Sequence, residues 1–195
     1  NEAVRESKVL VTTGTGLSAN PSREATLVAM QLAKKNSRKV LFNLDWRPTL
    51  WKGVNPSDRT NYYAQAIELA DILIGNDKEF MAATGVEGIE SAILHLRNQR
   101  DKLLILTSGE RGSRAYHGER VVEAAPFKVD SLKTLGAGDG NLAGFLYGYL
   151  NRWDLYKSLR FGNAAGAQVV TRHSCSEAMP TCDETMMFIE ANGGF

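Results

Sequence analysis

The stretch Ile72-Leu73-Ile74-Gly75-Asn76-Asp77-Lys78-Glu79 decides the fold. Three apolar residues run without alternation, the run stops at a glycine and an asparagine, and acidic residues follow where a helix can begin. A strand that is apolar on both faces belongs in a sheet covered on both sides. The pattern repeats outward from this point. Val9-Leu10-Val11 runs into Thr13-Gly14-Thr15-Gly16-Leu17-Ser18, Val40-Leu41-Phe42 into Asp45-Trp46-Arg47-Pro48, and Leu103 to Leu106 into Thr107-Ser108-Gly109. Helical stretches lie between these strands. One starts at Asn20-Pro21, with Asn as cap and Pro at the first helical position, and carries the stripe Ala25, Val28, Ala29, Leu32. Others run from Tyr62 to Leu69, from Glu79 to Ala83 and from Ile89 to Leu96.

Alternating strands and helices predict an α/β fold: a three-layer, Rossmann-like, mostly parallel sheet with helices on both faces. Such sheets gather ligands at the carboxyl ends of their strands. Asp45 to Arg47, Asn76 to Glu79 and Thr107 to Gly112 are all expected there. Downstream, Ala115 to Val129 reads as short strands broken by a turn at His117-Gly118-Glu119. Gly136-Ala137-Gly138-Asp139 then opens a helix with the apolar stripe Leu142, Phe145, Leu146, Tyr149 and Leu150. A further helix runs from its cap Asp154 to about Val170, and a last one starts near Thr181-Cys182-Asp183-Glu184. Arg97 to Lys102 reads as a solvated helix end.

At 195 residues the chain is expected to be a single domain. Lys and Arg total 23 and Asp and Glu total 22, a net charge of +1, which excludes a general electrostatic case for nucleic acid or an anionic membrane. No apolar run reaches the roughly 18 residues that span a bilayer. Two cysteines make no disulfide framework, so a reducing cytoplasm is the expected home. His173, Cys175 and Cys182 fit no zinc spacing. Asn1 to Lys8 shows no signal-peptide pattern and no initiator Met, so the chain is expected to be a piece of a longer one.

Chemistry concentrates at Thr134-Leu135-Gly136-Ala137-Gly138-Asp139. Two glycines allow close backbone approach, and the helix behind them offers free N–H groups and a positive dipole end to a phosphate or developing oxyanion. Asp139 beside such a site suits deprotonation of an attacking hydroxyl. The plain alternative is a glycine turn with Asp139 as an ordinary first-turn acid. Asn76 to Glu79 alone reads as a helix start, and Thr107-Ser108-Gly109-Glu110-Arg111-Gly112 alone as a turn.

Taken in order, the three segments resemble the ribokinase/PfkB-type sugar kinases. Asn76-Asp77-Lys78-Glu79 matches their Asn-x-x-Glu motif, Thr107 to Gly112 their Thr-x-Gly-x-x-Gly loop, and Gly136 to Asp139 their Gly-Ala-Gly-Asp signature. Within that family the finer likeness is to the branch acting on the sugar acid 5-dehydro-2-deoxygluconate in inositol breakdown. It is carried by Thr13 to Ser18, Asp45 to Pro48 and the region Ser158 to Pro180.

The resemblance implies phosphoryl transfer from ATP to a sugar hydroxyl. Asp139 would be the base, and the amides of Gly136, Ala137 and Gly138 would stabilise the moving phosphoryl group. Asn76 and Glu79 would order Mg²⁺ through its waters. Thr107, Gly109 and Gly112 would border the nucleotide, Asn163 would lie near the adenine, and Asp45 and Arg47 would touch the sugar acid. A homodimer of the longer enzyme is implied as well. Lys133 stands where many members have Asp, which counts against a monovalent cation. Gly140 replaces a better helix former, and Asn43 and Asp45 look like a swapped Asp-x-Asn. The family's N-terminal lid section has no counterpart here, so the chain alone is expected to transfer phosphate poorly. A 2-keto-3-deoxygluconate-type kinase and a non-catalytic adenine-nucleotide-binding module are the alternatives.

Overall fold

The computed structural model describes residues 2–99 and 102–195. In chain order the elements are α1 (Glu2–Glu6), β1 (Val9–Thr13), α2 (Ser22–Lys35), β2 (Lys39–Asn43), α3 (Pro56–Leu69), β3 (Ile72–Asn76), α4 (Asp77–Thr84), α5 (Ile89–Arg97), β4 (Leu103–Thr107), β5 (Ser113–His117), β6 (Arg120–Ala124), α6 (Ala137–Leu150), α7 (Leu155–Val170) and α8 (Cys182–Ala191). The strands neighbour one another in chain order in a six-stranded mixed sheet with helices on both sides. The chain divides into two compact units, Asn1–Ile105 with Tyr116–Glu119, and Leu106–Ala115 with Arg120–Phe195.

In the first unit β1 pairs with β2 and β2 with β3, all parallel, with Val11 opposite Leu41 and Phe42 opposite Leu73. Val40, Leu41, Phe42 and Ile72 to Ile74 are buried, as continuous apolar runs require. β1 departs from the expected buried strand. It is the end strand of the sheet order, and Val11 is 39% exposed. α2 begins at Ser22 with Pro21, not Asn20, in the cap position, and the Asn20 side chain instead donates to Glu24 Oε1 at 2.6 Å. α3 starts at Pro56, ahead of the expected Tyr62, because Asn55-Pro56 supplies a proline suited to the first helical turn.

The expected solvated end at Arg97 to Lys102 is corrected at Lys102; Arg100 and Asp101 lie outside the described residues. Lys102 is buried, and its ammonium donates to Ile67 O and Ala70 O, both at 2.7 Å. It thereby adds a strong donor to carbonyls at the end of α3, where among the described residues Ile67 O otherwise accepts only the Ala70 N–H at 3.2 Å. Asp71 ties the strands' amino ends together, accepting from Lys34 Nζ at 2.8 Å and from the Val40 N–H at 2.9 Å. Burial alone would raise its carboxyl, but the Lys34 and Val40 bonds and the charges of Lys34 and Lys39 hold it below the usual carboxylate range.

In the second unit the contact between α6 and α7 dominates. The face of α6 turned inward is Gly140, Asn141, Gly144, Phe145 and Gly148. The expected leucine stripe is corrected: of its five members only Phe145 is fully buried, and Leu150 is 41% exposed. The reason is distance. A Cβ on Gly144 would stand 2.9 Å from both Gly162 Cα and Phe161 O, and one on Gly148 2.7 Å from Ser158 Oγ. Gly140, which looked like a weak helix former, packs where a Cβ would meet Val169 Cγ2 at 2.9 Å. α7 is capped as expected, with Asp154 Oδ1 accepting from the Lys157 N–H at 2.8 Å. α8 opens on a capping box of Thr181 and Glu184. Past Ala124, residues 125–129 form no strand, so the expected extension to Val129 is also corrected.

Two outcomes follow. Gly144→Ala pushes a methyl into the backbone of α7 and should cost about 1–3 kcal/mol in urea unfolding, more than any gain in helix propensity returns. Because the Asp71 carboxyl is depressed in the folded chain, its stabilisation is complete above the unfolded-chain range and is lost as pH falls. Asp71→Asn should therefore flatten the fall in stability below about pH 4, read by thermal melting across pH.

Candidate active site

Everything at this site that a single unit contains lies in the second one. Gly136 caps α6 with φ +88, a left-handed conformation natural to glycine, and no side chain caps the helix. The Ala137 N–H turns back to Thr134 O at 3.3 Å and the Gly140 N–H to Gly136 O at 2.9 Å. The N–H groups of Gly138 and Asp139 donate to no carbonyl among the described residues. The helix head thus presents two free donors and the positive end of its dipole.

The turn after β4 is built from its own backbone. Ser108 N–H donates to Gly112 O at 2.8 Å, and the Gly112 N–H to Gly109 O at 3.0 Å. Gly112 has φ +84, and a Cβ there would collide with Ala124 O. Thr107, Gly109 and Gly112, with Ala137 and Gly138 from the head of α6 and Asn163 from α7, line one cavity of about 490 Å³. That size suits a small-molecule ligand. Gly136 supports the turn beneath, with a would-be Cβ 3.2 Å from Val169 Cγ1. Asp139 is exposed in the same first turn and is not among the lining residues. Asn141, Phe127, Ala167 and Val170 line the cavity too and escaped the sequence reading. Asn163, Ala167 and Val170 stand at i, i+4, i+7 on α7, a spacing from which that wall could have been read.

The remaining predicted residues lie in the first unit. Asn76 and Glu79 form a capping box on α4: the Glu79 N–H donates to Asn76 Oδ1 at 3.1 Å, and the Asn76 N–H to Glu79 Oε2 at 2.8 Å. After the neighbouring strand β2, Asp45 accepts from Thr15 Oγ1 at 2.6 Å and from Arg47 Nε at 2.8 Å. Asp45 and Asn76 thus follow the carboxyl ends of adjacent parallel strands, as expected. Between them Tyr63 donates to Leu44 O at 2.8 Å. Burial, then the charges of Glu79 and Asp45, push its hydroxyl well above the ordinary range. Among the described residues no three of His, Cys, Asp and Glu gather as a metal site, and Cys175 and Cys182 are free thiols. No helix among them is long and apolar enough to cross a membrane.

The model of the pfkB family carbohydrate kinases matches residues 1–182. The chain belongs to that family. It is 41% identical over 193 residues to the 5-dehydro-2-deoxygluconokinase of Bacillus subtilis (strain 168), covering 96% of this chain and 58% of that protein. To the enzyme of the same name from Clostridium tetani it is 35% identical, covering 96% and 56%. The chain therefore spans less than two thirds of these curated relatives. Among solved structures, a fructokinase with bound ATP from Xylella fastidiosa superposes with a TM-score of 0.86 at 25% identity, covering 97% of this chain and 63% of that one. A ribokinase II from E. coli gives 0.89 at 20% identity, covering 97% and 61%, a likeness of fold alone. The ribokinase-like α/β architecture and the carbohydrate-kinase family are thus as the motifs implied.

Gly112→Ala should cost about 1–3 kcal/mol in chemical unfolding, through both its positive φ and the lost space beside Ala124. Gly138→Ala meets nothing within 4 Å and should leave stability nearly unchanged.

Proposed function

We propose that this chain forms the nucleotide-binding part of a kinase that moves the terminal phosphoryl group of ATP to a hydroxyl of a sugar acid like 5-dehydro-2-deoxygluconate. The observation that carries the proposal is the pair of unpartnered N–H groups at Gly138 and Asp139, on a helix head that borders a nucleotide-sized cavity. Phosphoryl transfer asks for positioning and for donors aimed at charge that develops, more than for covalent chemistry. The head of α6 supplies such donors. Asp139, in the same turn, takes the proton of the attacking hydroxyl. Thr107, Gly109 and Gly112 flank the phosphates with a turn whose backbone is already paired, so it keeps its shape without ligand.

The chain's own chemistry suits Mg²⁺ held mainly by phosphate oxygens and water, since Glu79, the acid of the Asn-x-x-Glu motif, already accepts from its own helix cap. When bound, the ion would neutralise charge on the phosphates. On the motif alone, Asn76 and Glu79 are assigned to ordering its waters. Lys133 Nζ donates to Leu135 O at 3.1 Å and brings a fixed positive charge to the approach of the helix head. This supports transfer without a monovalent cation. Asp45 and Arg47, held together by their ion pair, are assigned to the sugar acid. The relatives named 5-dehydro-2-deoxygluconokinase favour that acid over 2-keto-3-deoxygluconate.

A coupled ADP-release assay of the complete kinase with both sugar acids and fructose tests the substrate. 5-Dehydro-2-deoxygluconate should give the highest kcat/KM, and a clear preference for another of the three would overturn the assignment. In the complete kinase, Asp139→Asn should lower kcat by roughly 10²–10⁴ while ATP affinity by calorimetry stays within about threefold. Near-normal turnover would remove Asp139 from the base role, and ATP binding without any turnover would favour a non-catalytic module.

A further inference from the structure

We infer that Asn141 reads the base of the bound nucleotide by accepting a hydrogen bond from the exocyclic amine of a 6-aminopurine; the inference rests on the nucleotide assignment above. It starts from Asn163, whose Nδ2 donates to Ala124 O at 3.1 Å and to Ala125 O at 3.0 Å. Carbonyls only accept, so the amide nitrogen must face them and Oδ1 must face away. That oxygen accepts from Asn141 Nδ2 at 3.0 Å. The amide of Asn163 is therefore engaged on both sides, and it acts as a positioning residue. With its own nitrogen held by Asn163, Asn141 has a fixed orientation. Its Oδ1 accepts no hydrogen bond from a described residue, although the side chain is 9% exposed and lines the cavity.

The surroundings suit a purine. Phe127, Ala167 and Val170 give the cavity apolar walls. The wall beside Asn163 is stiffened by Arg160, which donates to Ala125 O at 2.9 Å and lies 3.7 Å over the Phe127 ring. Val170 O accepts the Leu132 N–H in the segment leading to the head of α6. Asn163, which the family resemblance assigns to the adenine, holds Asn141 in the same part of the cavity. A lone acceptor fixed in such a place favours a donor and leaves a 6-oxopurine with two opposed oxygens.

Calorimetry on this chain with ATP, GTP and purine riboside triphosphate (ATP without the 6-amino group) tests this. ATP should bind about tenfold more tightly than the deaminated analogue, and GTP should bind less tightly than ATP. Asn141→Leu should bind ATP and the analogue equally, whereas a merely structural role would weaken both alike and preserve their ratio. Equal affinity of the unaltered chain for ATP and the analogue overturns the inference even if the variant fails to fold. A folded variant that keeps the ratio overturns it too. An unaltered chain that binds none of the three overturns the nucleotide assignment itself, and this inference with it.

Discussion

The second unit depends on how closely α6 and α7 approach. Glycines on both helices let backbone meet backbone, with would-be Cβ contacts at or below 3.0 Å along Gly140, Gly144, Gly148, Gly162 and Gly166. Dispersion between the two helices is gained over their whole length, and no large side chain holds them apart. The same closeness places Asn141 of α6 against Asn163 of α7, where two buried amides satisfy each other. It also fixes the head of α6 beside Val169, and so fixes the direction in which the Gly138 and Asp139 N–H groups are offered. A larger residue in this seam would displace the helix head as well as weaken the core.

Charge is handled in two ways in this fold. Lys102 is buried without distorting anything because its ammonium meets the carbonyls that end α3. Arg160 is buried against Phe127 and donates to Ala125 O and Gly194 O. In both cases carbonyl dipoles meet the cation, through the ammonium of Lys102 and the two terminal nitrogens of Arg160, whose buried Nε has no hydrogen-bond partner among the described residues. The cation in each case stiffens a loop or helix end that local sequence does not stiffen by itself.

The turns were legible in the sequence because their chemistry is local. Asn76-x-x-Glu79 and Thr181-x-x-Glu184 both form capping boxes, Asp154 caps α7, and Gly136 takes the left-handed conformation that only its turn demands. The inward face of α6 was not legible. Apolar periodicity looks for large residues, and there the buried face is built of the smallest. Lys102 was misread for a related reason: its partners lie more than thirty residues away on α3, beyond any window of local pattern. Asn163 was found by resemblance, but its engagement with Ala124, Ala125 and Asn141 depends on tertiary contacts.

The helix starts themselves show why a glycine at the head of α6 matters. Asn76, Asp154 and Thr181 each accept an N–H from the first turn of their own helix, so those dipole ends are answered from within the chain. Such a cap contributes about 1 kcal/mol to stability, and α6 forgoes it. What keeps α6 helical from its first turn is the seam with α7, which holds Gly140 and Gly144 irrespective of a cap. Stability supplied by packing thus leaves the donors at the head uncommitted, where a serine or aspartate at position 136 would engage them. The close helix pair and the open anion site are consequences of the same small residues.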